Sequence, residues 1–88
     1  MGSYSLNIKK SVEKDLRKIP KDFLPAIFEQ IEQLAVDPLP HGSHKLASAE
    51  NLYRIRVGDY RVIYQVLQDP REVTVIFIRH RSSAYRGL

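Results

Sequence analysis

The chain has 88 residues, no cysteine and a formal net charge of +4. This length fits one domain, residues 1–88, and the lack of cysteine excludes a disulfide framework and a thiolate metal site. The longest apolar run, residues 73–78, is far too short to span a bilayer, and the first ten residues contain no signal-peptide core. We therefore expect a cytoplasmic protein that does not engage a membrane.

The positive charge lies in the last third of the sequence. Residues 1–52 carry seven basic and seven acidic side chains, whereas residues 53–88 carry seven arginines, three acids and no lysine. Arginine forks onto phosphate groups and stacks on bases, so this distribution indicates a polyanionic partner, with nucleic acid as the first candidate. A solvated strand face rich in arginine is the alternative.

The first half of the chain predicts one strand and two helices. Alternating apolar residues over 4–8 indicate the strand. Apolar residues at helical spacing predict a short helix that ends at Pro20, and a second helix that Asp22 caps and that ends before Pro38. Residues 38–50 are expected to form a loop.

Three strands follow in quick succession, over 53–57, 60–66 and 73–78. Gly58-Asp59 predicts a two-residue type II′ hairpin turn between the first two, and Asp69-Pro70 fits the first two positions of a type I turn. The element order is β-α-α-β-β-β. This order predicts an α+β fold with two N-terminal helices packed on one face of a small antiparallel sheet.

The two-residue turn fixes which side chains face each other in the hairpin. Arg56 lies opposite Arg61, and Arg54 lies on the same face, away from the helices. Like charges that oppose each other weaken a sheet by about 0.2–1 kcal/mol, so the cluster suggests an anion site. The alternative is a solvated face on which three arginines repel each other weakly through water.

The third strand extends this cluster. If the Asp69-Pro70 turn closes tightly, Ile78 pairs with Arg61, and the imidazole of His80 lies on the arginine side of the sheet. Two further residues just beyond the strand can fold over that face. The predicted phosphodiester-binding set is Arg54, Arg56, Arg61, His80, Arg81 and Tyr85.

The motifs LYRIRVGDYRVIYQV (residues 52–66) and IRHRSSAYR (residues 78–86) resemble the RelE/ParE superfamily of bacterial toxins. The segment SVEKDLRKIP and the pair Lys45-Leu46 agree with it, so the resemblance covers nearly the whole chain. It implies a RelE-like microbial RNase fold. RelE-type members cleave mRNA in the ribosomal A site, whereas ParE-type members inhibit DNA gyrase and generally lack the cleavage set.

The resemblance also implies roles for the predicted set. RelE-type enzymes use basic residues on the first hairpin strand, an arginine on the second, an arginine after the last strand and a C-terminal tyrosine. Arg54 and Arg56 match the first of these, and Arg61, Arg81 and Tyr85 match the others. The matched set favours a RelE-type endoribonuclease over a ParE-type toxin. Arg54 and Arg56 stand where the best-known relatives carry lysines.

The expected chemistry is metal-independent RNA cleavage by the 2′-OH, without a cofactor. Arg61 and Arg81 would stabilise the charge on the phosphoryl group. Arginine is a poor general base, so His80 and Tyr85 are the remaining proton-transfer candidates. His80 could instead be a strand-end histidine bonded to backbone, and Tyr85 could stack on a base. Without a strong acid–base pair, we expect weak cleavage of free RNA and dependence on the ribosome, which would position the mRNA.

A toxin of this type implies partners. The resemblance implies a cognate antitoxin that wraps the toxin, and promoter DNA bound only through the antitoxin complex. Three functions stay open: a ribosome-dependent mRNA endoribonuclease, a ParE-like gyrase inhibitor without nuclease activity, and a non-catalytic nucleic-acid-binding module. His41 and His44 are too few ligands for a metal site.

Overall fold

A five-stranded sheet with two helices on one face forms the fold. The computed structural model describes residues 3–46 and 50–82. The elements are β1 (Ser5–Ile8), α1 (Lys10–Arg17), a 3₁₀ turn (Lys21–Phe23), α2 (Leu24–Leu34), β2 (His44–Lys45), β3 (Leu52–Val57), β4 (Tyr60–Gln68) and β5 (Arg71–His80). The strand order is β1-β5-β4-β3-β2. The predicted α+β class is confirmed.

Two features of the sheet differ from the expectation. The sheet is mixed rather than antiparallel throughout, because β1 runs parallel to β5, with Leu6 opposite Val73. The segment expected to be a loop contains β2, a two-residue strand in which His44 pairs with Arg54. A strand this short blunts the edge of β3.

The helices begin and end close to the predicted positions. α1 ends at Arg17, just before Pro20. The predicted Asp22 cap is wrong: the 3₁₀ turn leads into α2, Phe23 occupies the N-cap position, and no side chain caps the helix. Pro25 in the first turn lacks the N–H that a cap would satisfy. No helix in the described parts of the chain is long and apolar enough to cross a membrane.

The core lies between the helices and one face of the sheet. Val12 of α1, Ile27 and Leu34 of α2, and strand residues such as Val62 and Val75 are each fully buried in it.

Tyr64 ties the loop after α2 to this core. Its ring is fully buried, and its hydroxyl donates a hydrogen bond to the carbonyl oxygen of Pro38 at 2.8 Å. Burial raises the pKa of the Tyr64 hydroxyl to about 12, because the interior disfavours the phenolate.

A bulge in β5 changes the register that the sequence predicted. The predicted type I turn is wrong: Gln68 pairs with Arg71, so Asp69 and Pro70 are the two central residues of the turn, and the peptide bond between them is cis, as in a type VI turn. From this turn the strands pair regularly up to Tyr64 opposite Val75. Ile63 then lies opposite Phe77, and Ile76 is the extra residue. The predicted pairing of Ile78 with Arg61 is therefore wrong. Every β5 residue beyond the bulge is displaced by one position relative to β4. The side chains of these residues therefore lie on the opposite face of the sheet from the one that the sequence predicted.

Helix α1 accounts for the bulge, because beyond the end of β1 it is α1 and the residue before it that bond the edge of β5. The backbone N–H of Lys9 donates to Val75 O at 3.1 Å, and the hydroxyl of Ser11 donates to Ile76 O at 3.5 Å. The Asp15 carboxylate accepts the Ile78 N–H at 3.0 Å. Side chains of α1 thus satisfy backbone groups that a longer β1 would otherwise pair.

Candidate active site

Three arginines form a row across the sheet face that is turned away from the helices. Arg56 of β3 lies directly opposite Arg61 of β4, and Arg61 lies directly opposite Arg79 of β5. Directly opposed Cα atoms are about 4.5–5.5 Å apart, so the row crosses three neighbouring strands in roughly 10 Å. We call Arg56, Arg61 and Arg79 the arginine row, and the sheet face that carries it the arginine face.

The hairpin part of the row was predicted correctly, because Gly58 and Asp59 form the two-residue turn. Gly58 has a φ of 59° and Asp59 has a negative φ, which is the combination that the predicted type II′ turn requires. The side chain of Arg61 bends back to this turn, where its Nη1 donates to Gly58 O at 3.3 Å and to Tyr60 O at 3.2 Å.

Arg79 is the member of the row that the sequence prediction missed. Its guanidinium pairs with the carboxylate of Asp15, which is 9% exposed, and lies 4.7 Å from the centre of the Phe77 ring. Asp15 therefore holds both the backbone of β5 and the side chain of Arg79. The prediction missed it because the bulge, which turns Arg79 onto the arginine face, leaves no local signal in the sequence.

Arg81 continues the site beyond the end of β5. Its backbone N–H donates to Asp59 O at 2.8 Å, so the hairpin turn holds both Arg61 and Arg81. The Arg81 Nε lies 3.9 Å from Asp59 Oδ1, and both side chains are more than half exposed. Such an ion pair is weak, so the Arg81 guanidinium can exchange Asp59 for a phosphate at little cost.

His80 lies on the other side of the sheet from the arginine row. The expectation that its imidazole would join the arginine face was wrong, because the bulge places it opposite Tyr60 on the helix side. The two rings meet edge to face at a centroid distance of 5.5 Å. His80 Nδ1 accepts a hydrogen bond from the backbone N–H of Ser82 at 3.3 Å and lies 3.0 Å from the Ser82 hydroxyl oxygen.

Arg54 and Tyr85 are the two remaining residues of the predicted set. Arg54 is half-buried on the arginine face, with Ile63 on one side and His44 on the other. His44 thus brings an imidazole beside Arg54, although the sequence suggested no role for it. Tyr85 falls outside the described residues.

A concavity of about 360 Å³ follows the edge formed by β2 and β3. It is lined by Gln30, Pro40, His41, Gly42, His44, Arg54, Ile55 and Arg56. Within residues 3–46 and 50–82, no three potential metal-ligating side chains come together. Chemically, the arginine row and Arg81 can bind a phosphodiester from several sides and stabilise additional negative charge on it.

The structure thus defines a class of protein, a small α+β domain with an arginine row on its open sheet face. Comparison with known proteins identifies the family. Residues 6–85 match the family model described as the ParE toxin of the type II toxin-antitoxin system. The putative toxin RelE1 of Methanocaldococcus jannaschii is 35% identical over 87 residues, which cover 96% of this chain and 97% of the relative. The toxin RelE of Mycobacterium tuberculosis is 31% identical over 88 residues, covering 94% and 87%.

A solved structure agrees with these relatives. The archaeal RelE-RelB complex from Pyrococcus horikoshii OT3 contains a chain that matches with a TM-score of 0.80 and 32% identity, covering 93% of this chain and 99% of that one. The chain belongs to the RelE/ParE superfamily and is a RelE-like toxin of a type II toxin-antitoxin system.

Proposed function

We propose that the protein is a ribosome-dependent endoribonuclease that cleaves mRNA in the A site and thereby inhibits translation. The arginine row is the observation that carries this proposal. Arg56 directly opposes Arg61, and this like-charge pair weakens the sheet by about 0.2–1 kcal/mol, whereas Asp15 offsets the charge of Arg79 beside Arg61. A bound phosphodiester offsets this repulsion.

The proposed reaction needs no metal. The 2′-OH attacks the adjacent phosphorus, the P–O2′ bond forms, and the P–O5′ bond breaks, which leaves a 2′,3′-cyclic phosphate and a 5′-hydroxyl. The proton leaves the 2′ oxygen, and another proton is delivered to the 5′ oxygen. Arg61 and Arg81 donate to the non-bridging oxygens, whose charge increases as the fifth bond forms. Arg54 and Arg56 bind the flanking phosphates.

Proton transfer is where the geometry restricts the proposal most. Arginine stays protonated and cannot act as the base. The imidazole of His80 lies on the helix side, so it would reach the reacting phosphate only around the end of β5. We keep His80 and Tyr85 as proton-transfer candidates, and we assign much of the rate to the ribosome, which would hold the mRNA in an attack geometry.

The proposed partners follow from the same relatives. The structure from Pyrococcus horikoshii is of a RelE-RelB complex, so we propose a cognate antitoxin that neutralises this toxin in the cytoplasm. An acidic and apolar antitoxin segment would complement the arginine face and the exposed Phe23, Phe28 and Val36 on the helix side. Promoter DNA would be bound only through the antitoxin complex.

Gyrase inhibition is the second candidate, because the matching family model is described as a ParE toxin. Both curated relatives above 30% identity carry RelE names, and the arginine row and Arg81 support the binding of a phosphodiester. The nuclease is therefore the better supported function.

Primer extension on an mRNA in a purified translation system tests the proposal. The protein is added with and without ribosomes, beside Arg81→Ala and a matched control, Arg71→Ala, which removes an exposed arginine at the opposite end of β5. We expect cuts within codons that require ribosomes and Arg81 but not Arg71. Cuts on naked RNA alone would remove the ribosome from the mechanism, and inhibition of gyrase supercoiling without any cut would favour the ParE activity.

A further inference from the structure

The concavity of about 360 Å³ at the edge of β2 and β3 adjoins the arginine row, because Arg56 belongs to both. It is also lined by a second arginine, two histidines and a glutamine, namely Arg54, His41, His44 and Gln30. Among the lining residues in the described parts of the chain, none is acidic. Cations, flat rings and an amide without a carboxylate suit an anionic ligand that carries a flat, hydrogen-bonding ring.

The concavity forms because β2 is too short to cover the edge of β3. β2 begins at His44, which lies opposite Arg54, so it does not extend as far as Arg56. Just before β2 the chain makes a tight turn, in which the backbone N–H of Ser43 donates to Pro40 O at 2.9 Å. The turn carries the chain away from β3 and leaves the edge of that strand open beside the arginine row.

The open edge presents the backbone of Arg56 to the concavity. Val57 and Tyr60 flank the two-residue turn as a hydrogen-bonded pair, and such pairs alternate along an antiparallel ladder. The N–H and C=O of Arg56 therefore point away from β4. The same alternation turns Leu52 O to that side, where it accepts the N–H of Leu46 at 2.9 Å. Within residues 3–46 and 50–82 no strand pairs with Arg56 there, so one donor and one acceptor face the concavity.

His44 lies where it can stack on a base bound in the concavity. Because it is directly opposite Arg54, its imidazole is on the arginine face, and it is exposed. Arg54 and Arg56 are two residues apart on β3, which is about 6.8 Å along a strand. One nucleotide connects its two phosphates over a similar distance. A single strand of RNA that is bound at the arginine row therefore reaches His44 with its next nucleotide.

We propose that the concavity binds one unstacked nucleobase of the substrate, next to the phosphodiester at the arginine row. This inference rests on the proposed function and adds a base-binding subsite to it. His44 stacks on the face of the base, the backbone of Arg56 bonds its Watson–Crick edge, and Gln30 bonds it from the α2 side. Every nucleobase offers a donor beside an acceptor on that edge, so the subsite needs no particular base. Holding the base apart from its neighbours fixes the nucleotide whose sugar and phosphate react.

The test is the binding of two short oligonucleotides to the free protein, measured by fluorescence anisotropy. Both are labelled tetranucleotides of 2′-O-methyl ribose, which the 2′ oxygen cannot cleave, and one of them is abasic throughout. They carry the same phosphates, so the ratio of their affinities measures the contribution of the bases. The variants are His44→Ala, His44→Phe and Gln30→Ala. Lys45→Ala is the matched control, because Lys45 is the other residue of β2 and is exposed but does not line the concavity.

His44→Ala should weaken binding of the base-containing oligonucleotide by about 5- to 150-fold and leave binding of the abasic one unchanged. His44→Phe keeps a flat ring and should retain most of the affinity ratio, whereas Gln30→Ala should lower it. Lys45→Ala should change both affinities equally, because it removes only a charge. Thermal unfolding checks that all four variants fold.

Equal affinity of the wild type for the two oligonucleotides would overturn the inference, even if mRNA is cleaved on the ribosome, and would leave the open edge of β3 to a protein strand. A ratio that His44→Ala and Gln30→Ala both leave unchanged would also overturn it, because the base would then bind elsewhere. A ratio that depends on His44, in a protein that cuts no mRNA, would support the inference and refute the proposed function.

Discussion

Replacing Asp15 with asparagine should destabilise the protein strongly, although it changes only one oxygen into an amide nitrogen. One carboxylate oxygen of Asp15 accepts the Ile78 N–H at 3.0 Å, and the other pairs with Arg79. Asparagine retains a single acceptor oxygen, so it can serve only one of these donors. Its amide group would then face the other donor, and the residue is buried.

The magnitude follows from these two contacts. A charge-assisted hydrogen bond to a buried backbone N–H contributes about 1.5–3 kcal/mol. The pair with Arg79 adds only about 0–1 kcal/mol, because the arginine side chain is 41% exposed. Because the asparagine oxygen can keep the Ile78 bond, what is lost is the charge assistance of that bond and the pair with Arg79. We therefore expect the free energy of unfolding to fall by about 1–2 kcal/mol, which in a domain of this size lowers Tm by roughly 5–15 °C.

Thermal and urea unfolding of Asp15→Asn and Glu13→Gln measure this effect. Glu13→Gln is the control, because it also neutralises one carboxylate of α1 but at an exposed position. Its effect should stay within about 0.5 kcal/mol. If the two variants unfold together, the anchoring of β5 and of the Arg79 side chain by Asp15 is refuted.

Three further predictions concern the buried tyrosine, the hairpin turn and the row itself. Between pH 10 and 12, the free energy of unfolding of the wild type should fall by about 2–3 kcal/mol relative to that of Tyr64→Phe. The reason is that Tyr64 loses its proton near pH 10 in the unfolded chain but keeps it up to about pH 12 in the folded protein. Plots of unfolding free energy against pH that run parallel for the two proteins would contradict this. Gly58→Ala should lower the free energy of unfolding by about 1–2 kcal/mol, because a residue with a Cβ is strained at a φ of 59°. The added Cβ has no atom within 4 Å, so it gains no contact that would offset this strain. An unchanged Tm would mean that the turn has a different conformation. Arg61→Gln should slow ribosome-dependent cleavage about 100-fold while Arg71→Gln does not, by single-turnover gel assay; equal rates would remove Arg61 from the reaction.

The β3–β4 hairpin could be predicted from the sequence because its information is local. Gly58 supplies the positive φ of the turn, and two central residues fix Arg56 opposite Arg61. The alternation of apolar and polar residues on both strands agrees with the same register, so the arginine face and the helix face were assigned correctly.

The site at the end of β5 could not be predicted, because distant parts of the chain determine it. The bulge at Ile76 forms where Ser11 and Asp15 of α1 satisfy the edge of β5, and these residues are more than 60 positions away in sequence. The shift of one position placed Arg79 on the arginine face and His80 behind it. For the same reason, the parallel pairing of β1 with β5 has no local signal.

The most direct test of the nuclease is cleavage of a single phosphodiester bond in a programmed ribosome. Two mRNAs are placed with the same codon in the A site, one entirely of ribose and one with a 2′-deoxy nucleotide on the 5′ side of the cut bond. We expect the protein to cleave the first into a product with a 2′,3′-cyclic phosphate and to leave the second intact. Cleavage of both would exclude attack by the 2′-OH, and cleavage of neither by folded, ribosome-bound protein would contradict the nuclease assignment.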